Sequence, residues 1–236
     1  MKPARLGILI ASVLALPAIA AAAYVLNSRA SDPERPGPLT LSKRVDLIRE
    51  RHLPDIALTD QDGRKVHFYD DVVAGKVVAI NFMYASCTKT CEISSQNMAR
   101  LQDELKGRTD VAMYSISLDP EHDSPAAIKA YREKHGARAG WTFLTASSVA
   151  DLTLLRRKLG VYEPDPILDT DLSKHTGMVV LGNEPKGRWT MVPSLVHPIR
   201  IRQAIDRLIL PPEQWPRGQA AVEEVPREDS AVSLRR

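Results

Sequence analysis

The sequence predicts a domain of the α/β class, and three observations support that class. Residues 76–83 form a nearly continuous apolar run, which is typical of a strand buried on both faces of a largely parallel sheet. Apolar residues then recur at helical spacing from Cys91 to Leu105, and Gly107 supplies a stop for that helix. The same succession of strand and helix repeats further along the chain. We therefore expect a sheet covered by helices.

The middle of the chain continues this alternation. A second apolar strand over residues 111–118 precedes a helix that Ser124 opens as its N-cap and Pro125 as its first residue. Residues 141–144 form a short strand candidate, and the helix that follows ends at Gly160.

The remaining segments predict two hairpins and a last helix. Residues 178–181 and 189–192 are predicted strands on either side of a glycine-containing turn. Apolar residues then recur on one face of a predicted helix from Ile201 to Leu208. A further hairpin is expected over residues 53–68, with its turn at Asp62-Gly63. This order predicts a thioredoxin-like α/β sandwich with an added N-terminal hairpin and an internal hairpin.

The N-terminus predicts a membrane segment. Residues 6–26 are uncharged and mostly apolar behind Lys2 and Arg5, and a helix needs about 20 such residues to cross a bilayer. We expect residues 1–30 to anchor the chain in the inner membrane, with the domain on the periplasmic side. The alternative is a signal peptide cleaved after Ala20, which would release the domain into the periplasm.

Composition divides the rest of the chain. Residues 31–44 contain a proline-rich stretch and are expected to form a linker, and residues 45–210 hold the thioredoxin-like domain. Residues 211–236 are expected to be a disordered tail, since they lack apolar periodicity.

The formal net charge is +3, with lysine and arginine scattered among acidic residues. Such a surface lacks the basic face that nucleic acids require, so nucleic acid is excluded as a partner.

Cys87 and Cys91 are the only cysteines, and they lie where the first buried strand leads into a helix. Residues four apart on a helix have Cβ atoms about 5–6 Å apart, so the two sulfurs can share one metal ion or bond each other. A helix N-terminus also stabilises thiolates, which predicts lowered thiol pKa values. The alternative is a purely structural disulfide, although so small a loop contributes little stability.

His175 is the best candidate among the six histidines for a third metal ligand. It precedes the predicted strand at residues 178–181, and loops before strands in this architecture approach the helix N-terminus that carries the cysteines. The alternative is a surface histidine with no ligand role.

Four segments together resemble the SCO/SenC family of copper-binding thioredoxin-like proteins, which assist cytochrome c oxidase assembly. They are residues 81–91, 117–125, 141–145 and 173–176. The resemblance implies a copper site formed by Cys87, Cys91 and His175. It also implies that the recipient is the dinuclear copper site of oxidase subunit II, with thiol reduction of that site as the accepted alternative.

The chain departs from the family pattern beside each ligand. Thr88 and Glu92 stand where the family usually has proline after each cysteine, and Lys174 stands where it has aspartate before the histidine. Loss of that aspartate removes a group that would orient the ligand, and Asp171 or Asp123 are candidates to replace it.

These observations predict a membrane-tethered copper chaperone. Two thiolates and one imidazole favour Cu(I), with Cu(II) as a second candidate, and the cysteines must be kept reduced by a thiol reductant. The expected partner is oxidase subunit II or another cuproprotein. The rival is an enzyme, a thiol-disulfide oxidoreductase or peroxide reductase, whose redox-active pair is Cys87 and Cys91 without metal. A third hypothesis is an interaction module held together by its disulfide.

Overall fold

A computed structural model describes residues 38–87, 90–171 and 177–215, together with Tyr24. The chain divides into two compact units, Met1–Thr40 and Leu41–Arg236, and the fold described below belongs to the second. The predicted anchor or signal segment lies outside the described residues, apart from Tyr24, and so does the tail beyond residue 215. Within the described part of the chain, no helix combines the length and apolar character that a bilayer span requires.

The second unit contains seven strands and six α-helices within the described residues. In chain order they are α1 (Leu41–His52), β1 (Ala57–Asp60), β2 (Lys65–His67), β3 (Val77–Met83), α2 (Thr90–Glu104), β4 (Val111–Ser117), α3 (Pro125–Lys134), β5 (Trp141–Ala146), α4 (Val149–Leu159), α5 (Pro166–Thr170), β6 (Met178–Asn183), β7 (Arg188–Pro193) and α6 (Pro198–Ile209). A π-helical turn spans Phe68–Val73, and 3₁₀ turns span Glu184–Lys186 and Pro212–Gln214.

The strands form one sheet in the order β2-β1-β5-β4-β3-β6-β7. Strands β3, β4 and β5 are parallel to one another, whereas β6 pairs antiparallel with β3 and β1 pairs antiparallel with β5. The expectation of a largely parallel sheet is therefore wrong, because the two predicted hairpins both join the sheet in the antiparallel direction. Both hairpins, β1-β2 and β6-β7, are confirmed.

Helices cover both faces of the sheet, which explains the continuous apolar run in β3. Ala79 and Met83 point into a core cluster with α2, α3 and α6. Val78 and Ile80 point into a second cluster with α4 and the π-helical turn. Because successive side chains of a strand alternate between faces, a strand covered on both sides needs apolar residues at nearly every position.

The predicted helix ends are confirmed by their hydrogen bonds. Ser124 caps α3, since its Oγ accepts a hydrogen bond from the backbone N–H of Ala127 at 3.3 Å. Ser148 caps α4 in the same way through the N–H of Asp151 at 3.1 Å. Gly160 ends α4 with φ at +75°, a left-handed conformation that glycine adopts without a Cβ penalty.

Helix α1 was not predicted. It begins at Leu41, inside the segment expected to be a linker, and none of its residues is fully buried. Ile48 packs against the second core cluster, yet a helix with so little burial leaves a weak apolar pattern in the sequence.

Candidate metal centre

The two cysteines lie in neighbouring elements at one edge of the sheet. Cys87 lies in the turn that follows β3, and its backbone N–H donates to the carbonyl oxygen of Tyr84 at 3.1 Å. Cys91 lies in the first turn of α2. Cys87 is 6 % exposed and Cys91 is 8 % exposed, and the two sulfurs are present as thiols and not as a disulfide. Because α2 begins at Thr90, Cys87 is not itself helical, so the pair spans a turn and a helix start.

The two cysteine side chains lie in the same buried cluster. Burial, and then the hydrogen bond to Cys87, raise the pKa of the Cys91 thiol to about 12. The backbone N–H groups of Tyr84 and Cys91 favour the thiolate, but burial outweighs them. The expectation that the helix start would lower the thiol pKa is therefore wrong for Cys91. A metal ion that binds this sulfur near neutral pH must displace a proton.

Tyr84 packs against the buried cluster that contains both cysteines. Its carbonyl oxygen accepts the hydrogen bond from the N–H of Cys87 at 3.1 Å. The hydrogen bond to Cys87, followed by burial, raises the pKa of Tyr84. The charge of Asp171 acts in the same direction on the pKa of Tyr84. Tyr84 entered the sequence analysis only as one residue of a longer motif. A tyrosine hydroxyl directly after a buried strand was the signal that could have singled it out.

Asp123 fixes the backbone of the cysteine turn. One oxygen of its buried carboxylate accepts hydrogen bonds from the backbone N–H of Ala85 at 2.9 Å and from the hydroxyl of Ser117 at 2.5 Å. Burial raises the pKa of this carboxyl. Asp119 instead pairs with the exposed ring of His122 at 2.8 Å. Asp123 therefore supports the cysteine turn, whereas Asp119 serves the loop that follows β4.

The start of α2 is tied to α3. The carboxylate of Glu92 lies 2.7 Å from Lys134 Nζ, and this hydrogen bond lowers the pKa of Glu92. The hydroxyls of Ser95 and Tyr131 share a hydrogen bond of 2.8 Å, and Tyr131 also donates to the carbonyl oxygen of Cys91 at 3.5 Å. Glu92, which departs from the family pattern, thus has a structural partner.

His175 lies outside the described residues, as do Lys174 and Thr176. The other five histidines are each placed in other surroundings: His52 against a carbonyl of α4, His67 beside Asp55, His122 beside Asp119, His135 buried against Tyr131, and His197 at the start of α6. Across residues 38–87, 90–171 and 177–215, no group of three or more His, Cys, Asp and Glu residues is arranged to hold a metal ion. The structure brings Cys87 and Cys91 together and does not describe the third predicted ligand.

Strand β6 begins at the edge of the sheet where the cysteines lie. Asn81 of β3 is paired with Val179 of β6 in an antiparallel register, so the end of β3 faces the beginning of β6. The carbonyl oxygen of Gly177 accepts a hydrogen bond from the N–H of Ser194 at 2.6 Å. Asn97 of α2 donates in turn to the carbonyl oxygen of Ser194 at 2.9 Å. Residue 177 is therefore tied to the helix that carries Cys91.

The arrangement is similar to that of several known proteins. A SCO1 protein homolog from Bacillus subtilis strain 168 is 30% identical over 95 residues, which are 39% of this chain and 48% of the relative. A SCO2-like protein from Rickettsia conorii is 31% identical over 113 residues, 47% of this chain and 52% of the relative. The matched region spans about half the length of these curated relatives.

Solved structures extend the likeness to the whole fold. A SCO1/SenC family lipoprotein from Bacillus anthracis str. Ames has a TM-score of 0.57 and 25% identity, over 67% of this chain and 95% of that one. Bradyrhizobium japonicum ScoI with copper bound has a TM-score of 0.53 and 25% identity, over 66% and 98%. These likenesses confirm the predicted thioredoxin-like α/β fold. The sequence model of the SCO1/SenC family matches residues 47–210, from within α1 to the end of α6, and the chain belongs to that family.

Proposed function

We propose that this protein is a copper chaperone that binds copper through Cys87, Cys91 and His175 and delivers it to the copper site of a respiratory oxidase. The observation that carries the proposal is the pair of buried cysteine thiols, which lie in one cluster where β3 leads into α2. Copper is here the cargo, and the copper-bound structure of Bradyrhizobium japonicum ScoI supports this assignment.

The donor set favours Cu(I) over zinc. Thiolates are soft ligands that select Cu(I), and two thiolates with one imidazole make a three-coordinate site. A structural zinc site is closed by four ligands. The carboxylate of Asp123 is already held by Ala85 and Ser117, and that of Glu92 by Lys134, so neither is available as a fourth ligand.

Chain geometry supports His175 as the third ligand. Gly177 is held at the cysteine edge of the sheet through its hydrogen bond with Ser194, and His175 is two residues away along the chain. Two extended residues span at most about 7 Å, which keeps this histidine within reach of that edge. None of the five histidines in the described part of the chain lies in a cluster with the cysteines.

The test is Cu(I) binding by the full reduced chain against a colorimetric Cu(I) chelator. Wild type is expected to bind one ion, and His175→Ala to lose at least about tenfold in affinity, since one of three ligands is removed. His122→Ala is the matched control, because His122 is an exposed histidine that pairs with Asp119. Cys87→Ser and Cys91→Ser should each abolish tight binding. Equal affinity of His175→Ala and wild type would remove His175 from the site.

A second candidate function is thiol-disulfide exchange at the same pair. The shared buried cluster of Cys87 and Cys91 favours it, because neighbouring thiols can close to a disulfide. The two functions separate in one experiment. A reduced chain that binds no Cu(I) but reduces a model disulfide rapidly would be an oxidoreductase, and His175→Ala would then leave the rate unchanged.

We further propose that residues 1–30 anchor the chain in the inner membrane and that the recipient is oxidase subunit II. The uncharged stretch at residues 6–26 supports the anchor. Alkaline extraction of membranes tests it, since an integral anchor keeps the protein in the pellet. Transfer of Cu(I) from the loaded chain to the isolated subunit tests the recipient.

A further inference from the structure

Two exposed apolar side chains lie in the elements around the cysteine pair. Ile93 is 53 % exposed in the first turn of α2, two residues after Cys91. Leu195 is 52 % exposed in the loop between β7 and α6. Single exposed apolar residues are common on protein surfaces, so exposure alone assigns no role to either residue. Their position relative to the thiols is what matters.

Asn97 brings these two residues to one surface. It follows Ile93 by four positions on α2, and residues four apart lie on the same face of a helix with Cβ atoms about 5–6 Å apart. Its side-chain amide donates to the carbonyl oxygens of Ser194 at 2.9 Å and Val196 at 3.2 Å. Those two residues flank Leu195 in the chain. The loop is therefore fastened to the helix face that carries Ile93.

This surface borders the thiols. Val196 follows Leu195 and packs, partly buried, against the core cluster that contains Cys87 and Cys91. Ile93 belongs to the same helical turn as Cys91. We call Ile93, Leu195 and Val196 the apolar rim. It joins the nearly buried pair to the solvent on the side of α2 and the β7–α6 loop.

We propose that the apolar rim is the docking surface for the protein that receives copper, and that this partner presents an apolar face around its own copper ligands. The inference rests on the proposed copper-binding role of the cysteines. Metal–thiolate bonds are about 2.3 Å long, so a recipient ligand must come that close to a metal held by the pair. Because both thiols are nearly buried, the recipient can do so only by contacting the residues around them. Exposed apolar side chains at that place are dehydrated on contact, which stabilises the complex.

The transfer itself is a ligand exchange. Cu(I) keeps its oxidation state, and its bonds to the two sulfurs of the pair break as bonds to the recipient's ligands form. The recipient's thiols release protons when they bind the metal, and the thiolates left behind take protons up. Burial raises the pKa of Cys91, so this sulfur recovers its proton near neutral pH.

The experiment measures Cu(I) transfer from the loaded full chain to isolated metal-free oxidase subunit II and, separately, to a small colorimetric chelator. Ile93→Glu and Leu195→Glu each place a carboxylate where a docked apolar partner would bury it without a counter-charge. Each should slow transfer to the subunit at least about tenfold relative to transfer to the chelator, which needs no docking surface. The readout is the ratio of the two rates. A variant that only weakens copper binding changes both rates and leaves the ratio at the wild-type value.

Leu154→Glu is the matched control. Leu154 is 43 % exposed on α4, and that helix packs against the core cluster on the opposite face of the sheet. Its ratio should equal that of wild type. An equal fall of the ratio in Leu154→Glu and Leu195→Glu overturns the proposal, because a new charge anywhere would then suffice. So does a wild-type ratio in both rim variants, and so does a wild type that passes no copper to the subunit.

Failure of the copper proposal gives a different result, because a chain that binds no Cu(I) also yields none to the chelator. Docking is then read by calorimetry of the metal-free chain with the subunit. Ile93→Glu and Leu195→Glu should weaken that binding at least about tenfold, and Leu154→Glu should leave it unchanged. Equal binding by all three variants and wild type overturns the docking surface.

Discussion

Replacing Asp123 by alanine should destabilise the protein and loosen the turn that carries Cys87. The carboxylate accepts two hydrogen bonds, from the backbone N–H of Ala85 and from the buried hydroxyl of Ser117. Alanine leaves both donors without this partner. Because Ala85 lies only two residues before Cys87, the loss acts directly on the position of that sulfur.

The magnitude follows from the two lost bonds. A buried donor left without a partner costs about 1–3 kcal/mol, and Ala85 is only half-buried, which places its share at the low end. Removing a carboxylate whose pKa is raised by burial offsets part of this cost. We expect a net loss of about 2 kcal/mol, or a fall in melting temperature of about 4–8 °C for a domain of this size. Asp123→Asn keeps an acceptor oxygen and should lose less than about 1 kcal/mol.

Urea denaturation of the full reduced chain at pH 7, followed by circular dichroism, measures this difference. Cu(I) affinity should fall in Asp123→Ala and stay close to wild type in Asp123→Asn. The reasoning is refuted if the alanine variant unfolds at the same urea concentration as wild type. It is also refuted if the asparagine variant loses as much stability as the alanine variant, because the accepted hydrogen bonds would then contribute nothing.

Three further predictions concern the surrounding fold. Burial lowers the pKa of His135, so the stability that depends on its neutral form is present above about pH 6.5 and is lost as pH falls through the pKa of the folded state. The free energy of unfolding should fall by at most about 1.4 kcal/mol per pH unit. His135→Asn should flatten this dependence in unfolding measurements. Gly182→Ala should cost about 1–3 kcal/mol, since its Cβ would lie 2.3 Å from a ring carbon of Trp189. Arg156→Met should cost about 3 kcal/mol in urea titrations, because it breaks a nearly buried ion pair of 2.6 Å with Asp169.

Each of these predictions has its own control. The hydrogen bond that the exposed ring of His122 donates to Asp119 raises the pKa of His122, so His122→Asn should alter the pH dependence in the opposite direction. Matching effects of the His135 and His122 variants would contradict the assignment. Trp189→Leu should restore part of the stability lost in Gly182→Ala, and no recovery would count against a steric cause. If Arg156→Met and Asp169→Asn were additive in a double-mutant cycle, the ion pair would not couple them.

The strands and most helices were predictable because their signals are local. The apolar run of β3 reflects burial on two faces, and the cap at Ser124 reflects a hydrogen bond three residues away. Strand direction leaves no such signal, which is why the antiparallel placement of β6 beside β3 required the structure. Helix α1 was missed because its residues are at most half-buried.

At the candidate site, spacing predicted that Cys87 and Cys91 would lie close together, and both side chains belong to one buried cluster. Their surroundings were less accessible to sequence reasoning. The raised pKa of Cys91 depends on burial by residues distant in sequence, and the support from Asp123 spans 38 positions to Ala85. Both depend on tertiary packing, which local patterns do not encode. The role of His175 stays a prediction.

The antiparallel register of β3 and β6 has a consequence for protein engineering. Residue 177 is positioned by strand pairing and by its bond to Ser194, so the length of the preceding connection does not determine where β6 starts. Insertions after Gly160 should leave that starting point in place. Under the proposed copper-binding role, the residues directly ahead of β6 could therefore be exchanged to change the metal while the rest of the scaffold is kept.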